Sequence, residues 1–213
     1  MTDTSSPAEP STQPPTRILV VLGHPDARSL CAGLAQAYAA GAEVGGAAVR
    51  TLALGTLQFD PLLHAGYRGA QPLEPDLQRA QADITWATHL VFVYPIWWGA
   101  MPALLKGFID RVFLPGYAFK YRQDSPMWDR LLSGRSAELL VTMDSPPWYF
   151  RWFTRAPGHQ QMRRAILEFC GIRPVRIRSL GPVRSASDAQ RAAWVAQARG
   201  WGEAAARTPP KPR

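Results

Sequence analysis

The amino-acid sequence predicts one α/β domain, a three-layer sandwich whose five parallel strands have the order 2-1-3-4-5 between two layers of helices. Three observations lead to this fold class. Apolar runs of strand length alternate with segments of helical spacing through most of the chain. The 213 residues suffice for one such domain with a full core, and no internal linker divides them. Such alternation is typical of parallel sheets covered by helices on both faces.

The amino-terminal half contains two strands and two helices. The first apolar run, RILVVL, predicts a strand buried on both faces. After it, Leu30, Leu34 and Tyr38 recur at a four-residue spacing that indicates a helix buried along one stripe. An irregular segment rich in glycine and proline separates the second strand from the second helix. The predicted elements are a strand at Arg17–Leu22, a helix at Arg28–Ala42, a strand at Val49–Leu54 and a helix from Pro75 to about Thr88.

The carboxyl-terminal half continues the alternation. The apolar run that ends in VFVY predicts the third strand, and the spacing of Leu105, Phe108 and Val112 predicts the helix after it. A loop then leads to the fourth strand. The predicted elements are strands at His89–Tyr94, Ala137–Met143 and Val175–Leu180, and helices at Pro102–Phe113, around Gln160–Phe169 and at Asp188–Arg207.

The chain ends and the cysteine content bear on cellular location. Residues 1–16, rich in Ser, Thr and Pro, and residues 206–213 are predicted to be disordered tails around a folded domain at residues 17–205. The first tail lacks the charged start and apolar run of a signal peptide, and no window is a credible membrane span. Cys31 and Cys170 are the two cysteines, so a disulfide framework is not expected. We expect a cytoplasmic protein.

The net charge of +8 comes mostly from arginines spread over several segments. One interpretation is a solvated basic surface. Another is that some arginines face an anionic cofactor phosphate or an acidic partner. Nucleic-acid binding is not expected, because the sequence contains no recognised module or basic helix for it.

The fold predicts a crevice beyond the carboxyl ends of strands 1 and 3, where the winding of the sheet reverses. The first loop there, GHPDARSL, leads directly into a helix, whose free amides and dipole favour a phosphate. His24, Arg28 and Ser29 add polar groups, although Asp26 or Ser29 could simply cap the helix. The loop has neither GxGxxG nor GxxxxGK[ST], which argues against a Rossmann dinucleotide site or a P-loop.

The second loop, after VFVY, carries two tryptophans between prolines in PIWWGAMP. Aromatic rings and backbone amides suit a planar ring better than a metal ion or a nucleic-acid backbone, and a flavin is the ring most often bound this way. The alternative is that the two tryptophans pack in the core, which is more plausible for Trp97 than for Trp98. The fourth strand adds Thr142, Met143 and Asp144 to the same edge of the sheet.

The segment PPWYFRWFTR, residues 146–155, contains five aromatic residues and two arginines. A free surface rarely carries such an apolar patch. We favour a dimer interface that also forms a substrate-facing wall. The alternatives are an interfacial membrane contact and ordinary core packing.

Three motifs, GHPDARSL, YPIWWGAMPALLKGFIDRVFLPGYAF and PGHQQMRRAILEFCG, resemble the flavodoxin-fold NAD(P)H:quinone oxidoreductases. This group includes ancillary reductases of potassium efflux systems and modulator-of-drug-activity quinone reductases. The resemblance implies a flavodoxin-like fold, bound FMN with FAD as the alternative, and a homodimer. It also implies that a hydride passes from NADPH or NADH through the flavin to a quinone or similar small acceptor.

The resemblance also assigns residues to roles. It implies a catalytic tyrosine and histidine at Tyr149 and His159, and no metal ligand. Its implied flavin contacts are His24, Arg28, Ser29, Leu30, Pro95, Ile96, Trp97, Trp98, Gly99, Thr142, Met143 and Asp144. Three positions depart from the family: Cys31 replaces a common asparagine, Gly99 replaces an aromatic residue, and DSPPWYF replaces a glycine-rich turn.

Two other functions stay open at this stage. One is a flavodoxin-type electron carrier without substrate turnover, although carriers of that kind are acidic and have a TxTGxT phosphate loop. The other is an ancillary regulatory subunit of a potassium efflux transporter, which would add a transporter or peripheral membrane contact.

Overall fold

The computed structural model describes residues 15–208, which form a five-stranded parallel sheet of order β2-β1-β3-β6-β7. This topology is equivalent to the predicted order 2-1-3-4-5, so the predicted fold class is confirmed. The strands of this sheet are β1 (Arg17–Leu22), β2 (Ala48–Ala53), β3 (His89–Pro95), β6 (Ser136–Thr142) and β7 (Val175–Leu180).

Two layers of helices cover the sheet. Helices α1 and α6 pack on one face, against Ile18, Val20 and Val91. Helices α2 and α3 and the π-helical turn pack on the other face, against Leu19, Val21 and Phe92. The helices are α1 (Leu30–Val44), α2 (Pro75–Trp86), α3 (Ala103–Val112), α4 (Pro147–Trp152), α5 (Pro157–Gln160) with its π-helical continuation Gln161–Leu167, and α6 (Asp188–Ala206).

Two elements were not expected from the sequence. A small antiparallel hairpin of β4 (Phe119–Tyr121) and β5 (Trp128–Arg130) lies in the predicted loop before β6. It is held by Phe169, whose ring stacks on Trp128 with centroids 4.5 Å apart. The short helix α4 occupies the predicted loop after β6. Neither element is long enough to show a clear period in the sequence.

The irregular segment before α2 is held by one buried side chain. Arg111 of α3 is fully buried, and its guanidinium donates to both carboxylate oxygens of Glu74, at 3.2 and 2.9 Å. It also donates to the carbonyl oxygens of Pro72 and Asp60. A bidentate pair of this kind fixes orientation as well as charge. The segment is therefore irregular in secondary structure but tightly anchored.

The predicted tails, residues 1–16 and 206–213, lie mostly outside the described residues. Thr16 is buried, and its Oγ1 lies 3.0 Å from the carbonyl oxygen of Ala206 and 3.2 Å from that of Thr208. Helix α6 therefore closes against the start of β1. Within residues 15–208, no helix is both long and apolar enough to cross a membrane.

Candidate functional site

A cleft of about 190 Å³ opens at the carboxyl ends of β1, β3 and β6. This is the edge where the winding of the sheet reverses, as the sequence predicts. Its lining comprises His24, Ser29, Leu30, Cys31, Pro95, Ile96, Trp97, Thr142, Met143, Asp144 and Val183. Four segments that are distant in the sequence therefore meet in one cleft.

The loop between β1 and α1 is shaped by its own polar groups. The amide of Asp26 donates to Nδ1 of His24 at 2.9 Å, which leaves Nε2 as the donor of the neutral ring. The Asp26 carboxylate accepts from the amide of Arg28 at 2.8 Å, and this bond lowers the pKa of Asp26. The Arg28 side chain is 93% exposed, and its Nε makes only a long contact with Oδ1 of Asp26, at 3.5 Å. Its charge is therefore available to a ligand.

Ser29 caps α1, as one of the alternatives predicted. Its Oγ accepts from the amide of Ala32 at 3.2 Å and donates to the carbonyl oxygen of Asp26 at 2.7 Å. The first turn of α1 contains no acidic residue to neutralise the positive end of the helix dipole. The amino end of this 15-residue helix can therefore receive an anion, because its first amides have no carbonyl partners within the helix.

Cys31 joins two walls of the cleft. Its Sγ lies 3.3 Å from Oγ1 of Thr142, which links the first turn of α1 to the end of β6. Burial raises the pKa of the Cys31 thiol to about 11, with the Thr142 contact opposing part of that effect. The thiol is therefore neutral at pH 7.

The loop after β3 is a tight two-residue turn. Trp97 and Ala100 pair through both amides, at 2.9 and 3.0 Å, and the central residues Trp98 and Gly99 have φ values of 50° and 78°. Positive φ at both central positions is the type I′ geometry. A tryptophan is rare in that conformation, and strained residues concentrate at functional sites.

The turn leaves two amides available to a ligand. The amide of Ile96 donates to the carbonyl oxygen of Thr142 at 2.7 Å, and the amide of Trp97 is used in the turn. The amides of Trp98 and Gly99 have no hydrogen-bond partner among the described residues. The donors for a planar ring are therefore the two central amides of the turn.

Both tryptophans of the turn lie at the surface. Trp97 is 44% exposed, lines the cleft and meets the ring of His24 edge to face, with centroids 5.4 Å apart. Trp98 is fully exposed. The core-packing alternative is therefore wrong for both residues, and the cleft has an aromatic wall.

Helix α5 supports the turn by close contact. A Cβ atom on Gly158 would lie 2.7 Å from the carbonyl oxygen of Gly99 and 3.1 Å from Cα of Ala100. Only glycine permits this approach. The next residue, His159, lies 2.8 Å from Oγ of Ser179 through its Nε2, and its Nδ1 has no partner among the described residues. Burial lowers the pKa of His159 to about 4, so the ring is neutral at pH 7.

Helix α4 carries an exposed aromatic surface beside this region. Trp148, Trp152 and Phe153 are 60%, 71% and 71% exposed, and Tyr149 stacks on Phe153 with centroids 5.1 Å apart. Phe150 alone among these rings is buried in the core. Ordinary core packing is therefore wrong as an account of this segment.

Most of the predicted cofactor contacts gather at the cleft, and three lie outside its lining. These are Arg28, Trp98 and Gly99, which belong to loops whose neighbouring residues do line the cleft. Tyr149 and His159 do not line it. Two lining residues were missing from the implied flavin contacts: Cys31 and Val183. Val183 follows β7, and its position at the same edge of the parallel sheet was the signal that could have indicated it.

The comparisons with known proteins agree with this geometry. A family model described as a flavodoxin-like fold matches residues 16–202. The chain belongs to this flavodoxin-like family. A relative from Haemophilus influenzae, an uncharacterized NAD(P)H oxidoreductase, is 26% identical over 83% of this chain and 89% of its own length. Human ribosyldihydronicotinamide dehydrogenase [quinone] is 30% identical over 52% of this chain and 48% of its own length.

Solved structures show the same flavodoxin-like fold. Smu.1420 from Streptococcus mutans superposes with a TM-score of 0.73 at 27% identity, covering 89% of this chain and all of that one. The FMN-dependent NADH-azoreductase from Bacillus anthracis, in complex with FMN, superposes with a TM-score of 0.68 at 15% identity. The superposition covers 90% of this chain and 100% of the azoreductase chain. The chain spans about half the length of the curated quinone reductases that it matches. The family that the sequence motifs indicated is thus confirmed.

Proposed function

We propose that this flavodoxin-like protein is an NAD(P)H-dependent flavin oxidoreductase that reduces a quinone or a similar small electrophilic acceptor. The observation that carries the proposal is the donor set of the cleft. It combines a helix end with no acidic residue in its first turn, an aromatic wall at Trp97 and, in the adjoining turn, the amides of Trp98 and Gly99, which have no partner within residues 15–208. This combination suits a ligand that has both a phosphate group and a planar ring.

The residues present suit a flavin mononucleotide. The amides at the start of α1, with Ser29 and Arg28, would hold its phosphate, and His24 would add a donor beside Trp97. Trp97, Thr142 and Asp144 would contact the rest of the cofactor. We favour FMN over FAD as the flavin that this cleft binds. The FMN-dependent azoreductase of the same fold supports this choice.

The bound flavin would supply the hydride chemistry, and the protein would orient it and admit its substrates in turn. We propose that Tyr149 and His159 assist the acceptor. His159 is neutral at pH 7, so its ring could hold or donate a hydrogen bond without carrying charge. The exposed Tyr149 hydroxyl could donate to a quinone oxygen.

Tyr149→Phe combined with His159→Gln tests that role. We expect the double variant to lower kcat/KM for quinone by roughly 10²-fold, the lower range for general acid catalysis, and to leave the affinity for FMN unchanged. Steady-state oxidation of NADPH in the presence of a soluble benzoquinone measures the first quantity, and flavin fluorescence titration measures the second. Undiminished quinone reduction would remove both residues from the mechanism.

The oxidoreductase proposal itself is tested by the purified protein. We expect a visible flavin spectrum, release of FMN identified by mass, and steady oxidation of NADPH or NADH when a quinone is added. The surplus of arginines favours NADPH as donor. A protein that binds FMN but turns over no quinone would be an electron carrier. A protein that binds no flavin after reconstitution would refute the proposal.

We also propose a cytoplasmic homodimer. Cys31 and Cys170 are both free and buried, as is usual in a reducing compartment. The exposed rings of Trp148, Tyr149 and Phe153 contact one another, and an exposed apolar cluster of this kind favours a protein interface. Sedimentation equilibrium measures the mass, and Trp148→Glu should dissociate the dimer if this cluster is the interface.

A further inference from the structure

A second cavity lies at the opposite edge of the sheet from the cofactor cleft. It measures about 300 Å³, at the lower end of the range for ligand pockets. It is bounded by the amino ends of β1, β3, β6 and β7 and by the last turns of α6. Since the strands contain six or seven residues, roughly 20 Å of sheet separates it from the cofactor cleft.

One wall of this cavity is formed by His89, Ser136 and Glu138, which are connected through hydrogen bonds to one another and to Tyr38 of α1. The Tyr38 hydroxyl donates its single proton to Oε2 of Glu138 at 2.9 Å. Its 3.3 Å contact with Nε2 of His89 therefore requires the proton on that nitrogen. Nδ1 of His89 then accepts from the hydroxyl of Ser136 at 2.8 Å. These groups satisfy one another, so they hold the shape of the wall and do not need a ligand.

The charges of the cavity do not balance. Glu138 is 97% buried as a side chain, and its Oε1 accepts from Nε of Arg178 at 2.7 Å. Arg178 also lies over the ring of Trp201 of α6, with its guanidinium carbon 4.8 Å from the centroid. Arg176, two residues earlier on the same face of β7, lines the cavity but has no ion-pair or hydrogen-bond partner among residues 15–208. Within the described part of the chain, the charge of Arg176 is therefore exposed and unpaired.

The rest of the lining is apolar or bears hydroxyl groups. Ala137, Pro174, Trp201, Ala204 and Ala205 form the apolar wall. Thr16, Thr88, Ser136 and Thr208 supply oxygen atoms around the rim. The cavity therefore combines the ring of Trp201, which Arg178 contacts on one side, with a guanidinium that has no partner among the described residues.

We propose that this cavity binds a small organic anion with an apolar body, of the class of aromatic monocarboxylates. The carboxylate pairs with Arg176, whose planar guanidinium suits bidentate binding. The ring lies against Trp201 and the alanines of α6. Neither the cofactor nor the substrates of the proposed oxidoreductase are needed for this binding, so the site would persist even if that activity were different.

Fluorine NMR with 4-fluorobenzoate tests the proposal on the full-length protein saturated with its cofactor. We expect saturable binding, weakened about tenfold in Arg176→Ala, since a charge-assisted hydrogen bond contributes about that factor. Arg199→Ala is the matched control, because Arg199 is exposed on α6 outside the cavity. It should change the affinity by less than about twofold. The neutral 4-fluorobenzamide should bind wild type about tenfold more weakly.

Three outcomes would overturn the proposal. The first is the absence of saturable 4-fluorobenzoate binding to wild type. The second is equal affinity of wild type and Arg176→Ala. The third is displacement of the probe by the nicotinamide or quinone substrates with no effect of Arg176→Ala, which would place the probe in the cofactor cleft.

Discussion

Gly158→Ala tests whether the turn that carries Trp98 and Gly99 belongs to the cofactor site. Gly158 is in the short helix α5, not in the cleft, so the substitution removes no ligand contact directly. The added Cβ would lie 2.7 Å from the carbonyl oxygen of Gly99 and 3.1 Å from Cδ1 of Ile96. It therefore acts on the cofactor only by moving the turn.

The size of the effect follows from that contact. Carbon and oxygen atoms approach to about 3.3 Å without strain, so the turn and α5 must separate by roughly 0.6 Å. Extra methyl groups in tight packing cost about 1–3 kcal/mol. Binding groups must be placed within about 0.5 Å of their productive positions. We expect the dissociation constant for FMN to rise about tenfold, equivalent to about 1.4 kcal/mol.

Titration of the apoprotein with FMN, followed by flavin fluorescence, measures this constant. Gly200→Ala is the matched control because a Cβ there meets no atom within 4 Å. Gly200 lies inside α6, so the control should raise the free energy of unfolding by about 0.5–1 kcal/mol and leave FMN affinity unchanged. Thermal unfolding of both apoproteins separates the effect on stability from the effect on binding.

An FMN affinity within twofold of wild type in Gly158→Ala, with a lowered thermal midpoint, would refute the reasoning. It would mean that the strain is real but that the turn does not contact the cofactor. A normal midpoint together with normal affinity would mean that α5 moves away freely, and that it does not position the turn.

Three further predictions concern stability, capping and pH. Arg111→Met leaves a carboxylate and two loop carbonyls without their donor, so urea denaturation should show a loss of about 3–5 kcal/mol. Ser29→Ala and Ser187→Ala each remove a helix cap of 3.2 Å and should each cost about 1 kcal/mol, but only the first should weaken FMN binding. Burial lowers the pKa values of His89 and His159 from 6.5 to about 4, so the unfolded chain binds more protons between those values. The free energy of unfolding should therefore reach its highest value above pH 6.5 and decrease as the pH falls toward 4. His159→Gln should weaken this pH dependence, as measured by urea denaturation at several pH values.

The sequence predicts the central strands of the sheet well because β1, β3 and β6 are almost completely buried. After Arg17, the residues of RILVVL are all apolar and buried, as are those of VFVY, and β1 and β3 begin at their predicted residues. The hairpin β4–β5 escaped prediction because its strands have three residues each. It depends on Phe169, which is distant in the sequence, and no local pattern reports such a contact.

The candidate site could be predicted in its location but not in its detailed geometry. The switch point places His24, Trp97 and Thr142 together because parallel strands end at one edge. Which amides stay free depends on the turn type, and a Trp-Gly pair is not a recognised signal for type I′ geometry. The burial of His159 likewise depends on Ser179 and Phe150, which other elements supply.

Trp98 has both a strained backbone conformation and a fully exposed aromatic side chain. A non-glycine residue in the left-handed region costs on the order of 1 kcal/mol, and a fully exposed indole gains nothing from burial to offset it. The free chain therefore holds both an unfavourable backbone conformation and an unfavourable solvent contact at one residue. A bound ring or a second copy of the chain would remove the solvent contact, while the bound ring would also use the free amides of the turn. The strain at Trp98 is thus best understood as preorganisation, in which the fold holds the turn ready for a partner that the single chain does not contain.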